Sequence, residues 1–384
     1  MSAQREARRE TLENLLTSVQ NELNLNPSKP LFKLTYSSSN WQYDLTKSSN
    51  SILKIAILDS SFNPPTKAHM HLLLQSVNNQ SNTKFFDACL LLYAIKNADK
   101  TPLSSDAGPV DRLLMMESLA SQICSINTKS EPTFNSLQNI AIGVTTHPLF
   151  MDKAKAIHSY FNNNKLSSSY SFDPSVIDSS AVEPSVIESN SFAVNSSAVN
   201  SSAVNSSTID SSAVNSSAID SSTIDSSVID TPIIDSITTT FNYSPQISLY
   251  FILGFDTVIR LFNPQYYSNI YKELDSFFKL NNNIICANRD GYGGQESEEK
   301  FFQSDIIKEI IGESENEKIL RVKLNDDIAK ISSTNIRNAI NNIDQENDDD
   351  NDKREEIIKN VLYDFCPESV AEFIIQERLY RNTR

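Results

Sequence analysis

The stretch ILKIAILDSSFNPPTKAHMHLLL, residues 52–74, decides the fold. Its opening ILKIAIL is an apolar run interrupted only by Lys54, the pattern of a strand buried on both faces of a parallel sheet. Ser60 and Ser61 follow, small enough for the backbone to pass close to a ligand, and Asn63-Pro64-Pro65 makes a rigid turn. Thr66 then stands where a helix needs its N-cap, and Met70 to Val77 carries helical apolar spacing. Strand, turn and helix in that order form the first half of a βαβ unit, whose ligands bind beyond the strand's carboxyl end.

The same alternation continues outward from this stretch. DACLLLYAI (87–95), IAIGVTT (140–146), ISLYFIL (247–253) and NIICA (283–287) read as further buried strands. Asp111 to Ile123, Phe150 to Phe161 and Tyr267 to Phe278 read as helices between them. The prediction is an α/β fold, a doubly wound, Rossmann-like parallel sheet forming a single catalytic domain. That domain spans 31–165 together with 240–384, and two segments fall outside it. Residues 1–30 hold Leu12, Leu15, Leu16, Val19 and Leu23 at helical spacing, which predicts an amphipathic helix docked on the body. Residues 166–239 contain a five-residue repeat (NSSAV, NSSTI, DSSAV and variants) with one or two small apolar residues per unit. Such a unit buries little area against the entropy of ordering it, so the segment is expected to be a disordered low-complexity insertion. The acidic run QENDDDNDKREE (345–356) reads as a solvated loop between two helices.

Composition excludes several classes. A net charge of −15 over 384 residues leaves no broad cationic face for nucleic acid or an anionic membrane. The N-terminus lacks the apolar core of a secretory signal, and no stretch approaches the ~20 apolar residues that span a bilayer. Cys89, Cys124, Cys286 and Cys366 are spaced too widely for a metal knuckle and are too few for a disulfide framework, so they read as reduced core residues. A cytoplasmic protein follows, with the nucleus as the alternative. Any phosphate is to be held by a local site, and the sequence leaves the oligomeric state open.

Three blocks supply that site. The helix beginning after Thr66 offers free N–H groups to an anion, and His69 in its first turn can donate a hydrogen bond to charge growing in a transition state. In ILGFDTVIRLFNPQYY (252–267), Gly254 lets backbone approach a nucleotide, while Asp256 can accept from ribose or base donors or support a hydrated metal. In ISSTNIR (331–337), Ser333 and Thr334 can cap a helix, with Arg337 one turn along reaching back toward phosphate oxygens. Taken singly, His69 also reads as a packing residue, Asp256 as a helix cap and Arg337 as an exposed side chain.

The three blocks together change that balance. SSFNPPTKAH resembles the GSFNPxTxxH signature of the nucleotidylyltransferases, and specifically of nicotinamide mononucleotide adenylyltransferases of the eukaryotic or fungal type. The GFD segment is similar to the family's G-x-D block, and ISSTNIR matches its ISSTxxR phosphate motif at every fixed position, in family order. The resemblance implies adenylyl transfer from ATP to nicotinamide mononucleotide, giving NAD and pyrophosphate, with Mg²⁺ as cofactor and no metal ligated by protein side chains alone. It implies His69, Thr66 and Arg337 as catalytic residues. Ser60, Ser61, Phe62, Lys100, Gly254, Asp256, Arg289, Ser333 and Thr334 would bind the nucleotide, with Lys96 the rival of Lys100. Arg112 is a candidate for fixing the loop before its helix, and Phe134, Phe150 and Phe262 are candidates for stacking on the acceptor base; Trp41 reads as packing. The chain departs from the pattern where Ser60 and Ala68 replace glycines and where Thr66 replaces a histidine. The alternatives are a diverged protein that binds or hydrolyses ATP in a regulatory role, or one that uses another phosphorylated acceptor.

Overall fold

The computed structural model describes residues 3–27, 29, 31–39, 41, 52–78, 86–96, 103, 106–130, 137–163, 246–288, 294–312, 318–345 and 351–381. The repeat insertion expected at 166–239 lies outside the described residues, as do Lys100, Phe134 and Arg289.

In chain order the elements are α1 (Ala3–Leu25), β1 (Phe32–Ser37), β2 (Ile52–Asp59), α2 (Lys67–Asn78), β3 (Ala88–Ala94), α3 (Pro109–Ser130), β4 (Ile140–Thr145) and α4 (Phe150–Asn163). The second half runs β5 (Gln246–Gly254), α5 (Phe255–Leu261), α6 (Ile270–Lys279), β6 (Asn282–Ala287), α7 (Gly294–Phe302), α8 (Asp305–Ile311), β7 (Ile319–Val322) and α9 (Asp326–Ala329). It closes with α10 (Ser333–Gln345), α11 (Asn351–Phe365) and α12 (Glu368–Glu377).

The seven strands form one sheet in the order β1-β4-β3-β2-β5-β6-β7, parallel except for β1. From β2 the chain winds through β3 to β4, then returns to add β5 on the other side of β2. The order therefore reverses between β2 and β5, and a doubly wound sheet opens a ligand crevice at such a reversal.

All five strands read from the sequence are present, but the sheet is not wholly parallel. FKLTYS and ILRV became β1 and β7, the two edges. The first alternates instead of running apolar, and the second spans four residues, so neither gives the signal of a central strand. In β1, the Phe32 ring lies across Gly143 of β4, where a Cβ would come within 2.3 Å of it. The acidic run also departs from the expected loop, since α11 starts at Asn351. Ile358 and Leu362, four residues apart, give that helix a buried side, and packing outweighs the charge of its first turn.

Side chains alternate across the sheet with period two. Ala56 and Leu58 of β2, Cys89, Leu91 and Tyr93 of β3, and Tyr250 and Ile252 of β5 point to one face, under α1, α2, α3 and α10 to α12. Leu53, Ile55 and Ile57, Leu90 and Leu92, and Leu249, Phe251 and Leu253 point to the other face, under α4, α6, α7 and α8, where Trp41 is also buried. Continuing that alternation past Leu58 sends Asp59 to the second face and Ser60 to the first.

The N-terminal helix docks as its spacing predicts. Leu12 and Val19 are buried, Leu15, Leu16 and Leu23 pack beside them, and Arg8 and Arg9 pair with Glu117 and Asp111 of α3.

Of the four free cysteines, Cys89, Cys286 and Cys366 are buried, and burial pushes the Cys89 and Cys366 thiols up to about 12. The thiolate is the reactive form. The three should therefore resist an aromatic disulfide reagent at pH 8 until the protein is unfolded; rapid labelling of the native protein at three sites would contradict this packing.

Candidate functional site

A cavity of about 830 Å³ opens at the reversal point, within the size range of nucleotide pockets. Its wall includes Asp59, Ser60 and Ser61 beyond β2, His69 of α2, Phe150 and Lys153 of α4, Gly254 and Asp256 after β5, Asn288 after β6, and Ser333, Thr334 and Arg337 of α10. Residues from three separate sequence blocks thus meet at the carboxyl ends of neighbouring strands.

His69 is held from behind. The Thr66 backbone N–H donates to Nδ1 at 3.0 Å, and the Thr66 hydroxyl lies 2.9 Å from the same nitrogen. A backbone N–H can only donate, so Nδ1 accepts and the ring proton sits on Nε2. Nε2 is 2.8 Å from Ser60 Oγ, and both residues line the cavity. The imidazole therefore presents an N–H toward the place where the sequence predicts phosphate.

Thr66 itself is fully buried, and its hydroxyl accepts from the His69 backbone N–H at 3.4 Å as the cap of α2. Its contact is with His69, which it orients, while the cavity wall is formed by others. Phe62 likewise stands back: it is fully buried, packs its ring 5.2 Å from the imidazole, and has φ of +46° in the left-handed region. A phenylalanine there is strained and is held by its surroundings.

The NPP turn is clamped from several sides. Asn63 Oδ1 accepts from the Tyr380 hydroxyl at 2.9 Å and from the Ala107 backbone N–H at 3.2 Å. Burial raises the Tyr380 hydroxyl well above its ordinary range, which keeps it a neutral donor. Ser333 Oγ donates to the Pro64 carbonyl at 2.8 Å, and Arg337 donates to the Asn63 carbonyl at 2.5 Å. The ISSTNIR block therefore docks directly on the SSFNPP block. Thr334 is exposed in the same wall.

Asp106 bridges two arginines, 3.2 Å from Arg337 Nε and 3.4 Å from an Arg112 terminal nitrogen. Arg112 is buried; its Nε donates to the Ala107 carbonyl at 2.8 Å, and its guanidinium lies 5.8 Å from the Tyr93 ring centre. Loop and α3 are thereby tied to the motif turn.

Around β5, Gly254 caps α5 through its backbone conformation, and Asp256 pairs with Arg260 at 3.6 Å. A Cβ on residue 254 would stand 2.6 Å from Asp256 Oδ1, so the glycine makes room for that carboxylate. Asn288 is bonded to the backbone of Leu324 through both side-chain atoms. Lys96 is exposed at the cavity edge. Of the candidate stacking aromatics, Phe150 lines the cavity, whereas Phe262 is buried in the core.

The sequence reading missed Asp106, Tyr380, Asp59 and Lys153. Asp59 and Lys153 form an ion pair at 2.6 Å in the cavity wall, with side chains 5% and 7% exposed. Asp59 was legible as the last residue of the first strand. Lys153 carries no local signal, because nothing in MDKAKAIH distinguishes it from Lys155.

No family model matches the chain. Two solved structures of Plasmodium falciparum nicotinic acid mononucleotide adenylyltransferase, complexed with APC and with NaAD, align over 85% of this chain and 97% of theirs. Their TM-scores are 0.40 and 0.39, with 14% and 16% identity. A Schizosaccharomyces pombe protein with the provisional name nicotinamide mononucleotide adenylyltransferase is 36% identical over 103 residues, 27% of this chain. The chain spans about a third of the length of that curated relative. In sequence, then, the chain is similar over part of its length to a protein named for nicotinamide mononucleotide adenylyl transfer.

Proposed function

We propose that the protein transfers the adenylyl group of ATP to nicotinamide mononucleotide, forming NAD and pyrophosphate. The observation that carries this reading is the orientation of His69: its Nε2–H faces a nucleotide-sized cavity in which the ISSTNIR helix start docks on the SSFNPP turn.

In the transfer, an acceptor phosphate oxygen attacks the α-phosphorus of ATP. The P–O bond to the β-phosphate breaks, and the electron pair leaves on pyrophosphate. The attacking phosphate is already ionised near neutral pH, so no protein base is needed; positioning and charge stabilisation carry the rate. His69 Nε2–H turns from Ser60 Oγ to the α-phosphate as its oxygens gain charge. Ser333, Thr334 and Arg337 hold the β and γ end, with Ser61 and the start of α2 beside it. Gly254 faces the nucleoside. Ser60, which replaces a glycine of the motif, shares the Nε2–H with the phosphate in this scheme.

Mg²⁺ belongs to the same proposal. Among the described residues no group of three or more His, Cys, Asp or Glu side chains gathers to hold a metal. The Asp256 carboxylate in the cavity wall would be the protein's oxygen ligand to such an ion, with the triphosphate and water supplying the others. Bound so, it would offset charge on the departing pyrophosphate.

The test is NAD and pyrophosphate formation by the purified full chain with ATP, nicotinamide mononucleotide and Mg²⁺. Stoichiometric appearance of both products supports transfer. ATP consumption without NAD would instead favour hydrolysis.

A further inference from the structure

The cavity has polar groups on opposite faces of the sheet, and the bonds that change in the proposed transfer lie at one of them. Ser60, His69, Ser333 and Arg337 gather on the face covered by α2, α3 and α10. The Asp59–Lys153 pair lies on the other face, where α4 packs. Asp59 and Ser60 are consecutive, so the two sets of groups flank a single strand terminus.

The pair has a defined chemistry. Lys153 Nζ donates to Asp59 Oδ2 at 2.6 Å and sits 4.7 Å from the centre of the Phe150 ring. Among the described residues, the other carboxylate oxygen of Asp59 meets no hydrogen-bond donor. Both residues line the cavity, so an ammonium with spare N–H groups and a carboxylate oxygen with spare lone pairs stand side by side at its wall. With side chains 5% and 7% exposed, the pair is largely withdrawn from water, and an added charge would be poorly screened.

A primary carboxamide complements that arrangement. Its carbonyl accepts from Lys153, its NH₂ donates to Asp59, and it brings no charge to a pair that is already neutral. A carboxylate in the same place would accept from Lys153 but press its charge against Asp59. Phe150, beneath the ammonium, lines the same stretch of cavity and gives the ring that carries the amide an apolar neighbour.

We propose that Asp59 and Lys153 select the acceptor, admitting a nucleotide whose base carries a carboxamide and rejecting the counterpart with a carboxylate. This rests on the adenylyl-transfer reading. It assigns the pair as specificity residues remote from the bonds that change.

The test compares kcat/KM for nicotinamide mononucleotide and nicotinic acid mononucleotide in the wild type, Asp59→Asn and Lys153→Met. The wild type should favour the amide. Asp59→Asn removes the repulsion and leaves Lys153 to attract a carboxylate, so the amide-to-acid ratio should fall by about tenfold or more, mainly through KM. Lys153→Met leaves an unpaired carboxylate, so the ratio should rise while amide KM worsens. A purely structural role would lower both acceptors together in either variant, leaving the ratio in place; thermal melting identifies such a loss of fold. An unchanged ratio in both variants, with dinucleotide still formed, overturns this inference alone. Failure of the wild type to form dinucleotide from either acceptor overturns the transfer reading and this inference with it.

Discussion

Replacing His69 by alanine should lower the turnover number for dinucleotide formation by about 10²–10³-fold, the usual cost of removing one preorganised donor from a developing oxyanion. KM for ATP should change only a fewfold. The donor gains most when the α-phosphate oxygens take up charge in the transition state, and binding energy realised only there appears in kcat. The fold should survive. His69 is half-buried, and its removal leaves the Thr66 backbone N–H and the Ser60 hydroxyl without their ring partner, a loss of about 1–3 kcal/mol. Melting therefore separates a chemical defect from unfolding. Near-normal turnover in a folded His69→Ala protein would dismiss the mechanism, whatever became of the acceptor specificity.

The largest loss of stability should come from Phe251→Ala. Phe251 is fully buried in β5, between β2 and β6, with the Phe150 and Phe277 rings 5.9 and 5.7 Å away. Truncation removes the transfer energy of a large side chain and opens a cavity that a central strand cannot close, together about 3–5 kcal/mol. For a domain of this size that corresponds to a melting temperature lower by roughly 5–8 °C. Differential scanning calorimetry checks it, and a shift below 2 °C would mean that the neighbouring rings refill the space. Phe150, one of the aromatics in the cavity wall, rests on this side chain, so a looser wall at the proposed acceptor end should accompany the lost stability.

Some of the site could be read locally because its causes are local. The run from Ile52 to Leu58 is apolar because both faces of its strand are covered, and the order of strands and helices predicted the double winding before any contact was known. Thr66 and His69 lie three residues apart on one helix start, so their bond follows from helix geometry. Their division of labour does not: that Thr66 is sealed in and only His69 reaches the cavity depends on what packs against the turn. The edge strands escaped the reading because an edge lacks the two-sided burial that writes an apolar run. Half of the acidic segment escaped it because two apolar residues on one side of α11 outweigh the charges.

By itself the sequence determined the strand–turn–helix unit, the winding of the sheet and the docked N-terminal helix, since each is a matter of periodicity or spacing within one segment; the three candidate site blocks were legible only through their joint resemblance to a known pattern. Only the tertiary structure decided which distant residues stand together. Asp106 joins Arg112 to Arg337, Tyr380 reaches back across the chain to Asn63, and Lys153 meets Asp59 from a helix 94 residues away. The physical reason is the same in each case: a buried charge or polar group must find a partner wherever the packed layers bring one, and that requirement leaves no mark on the residues next to it in sequence.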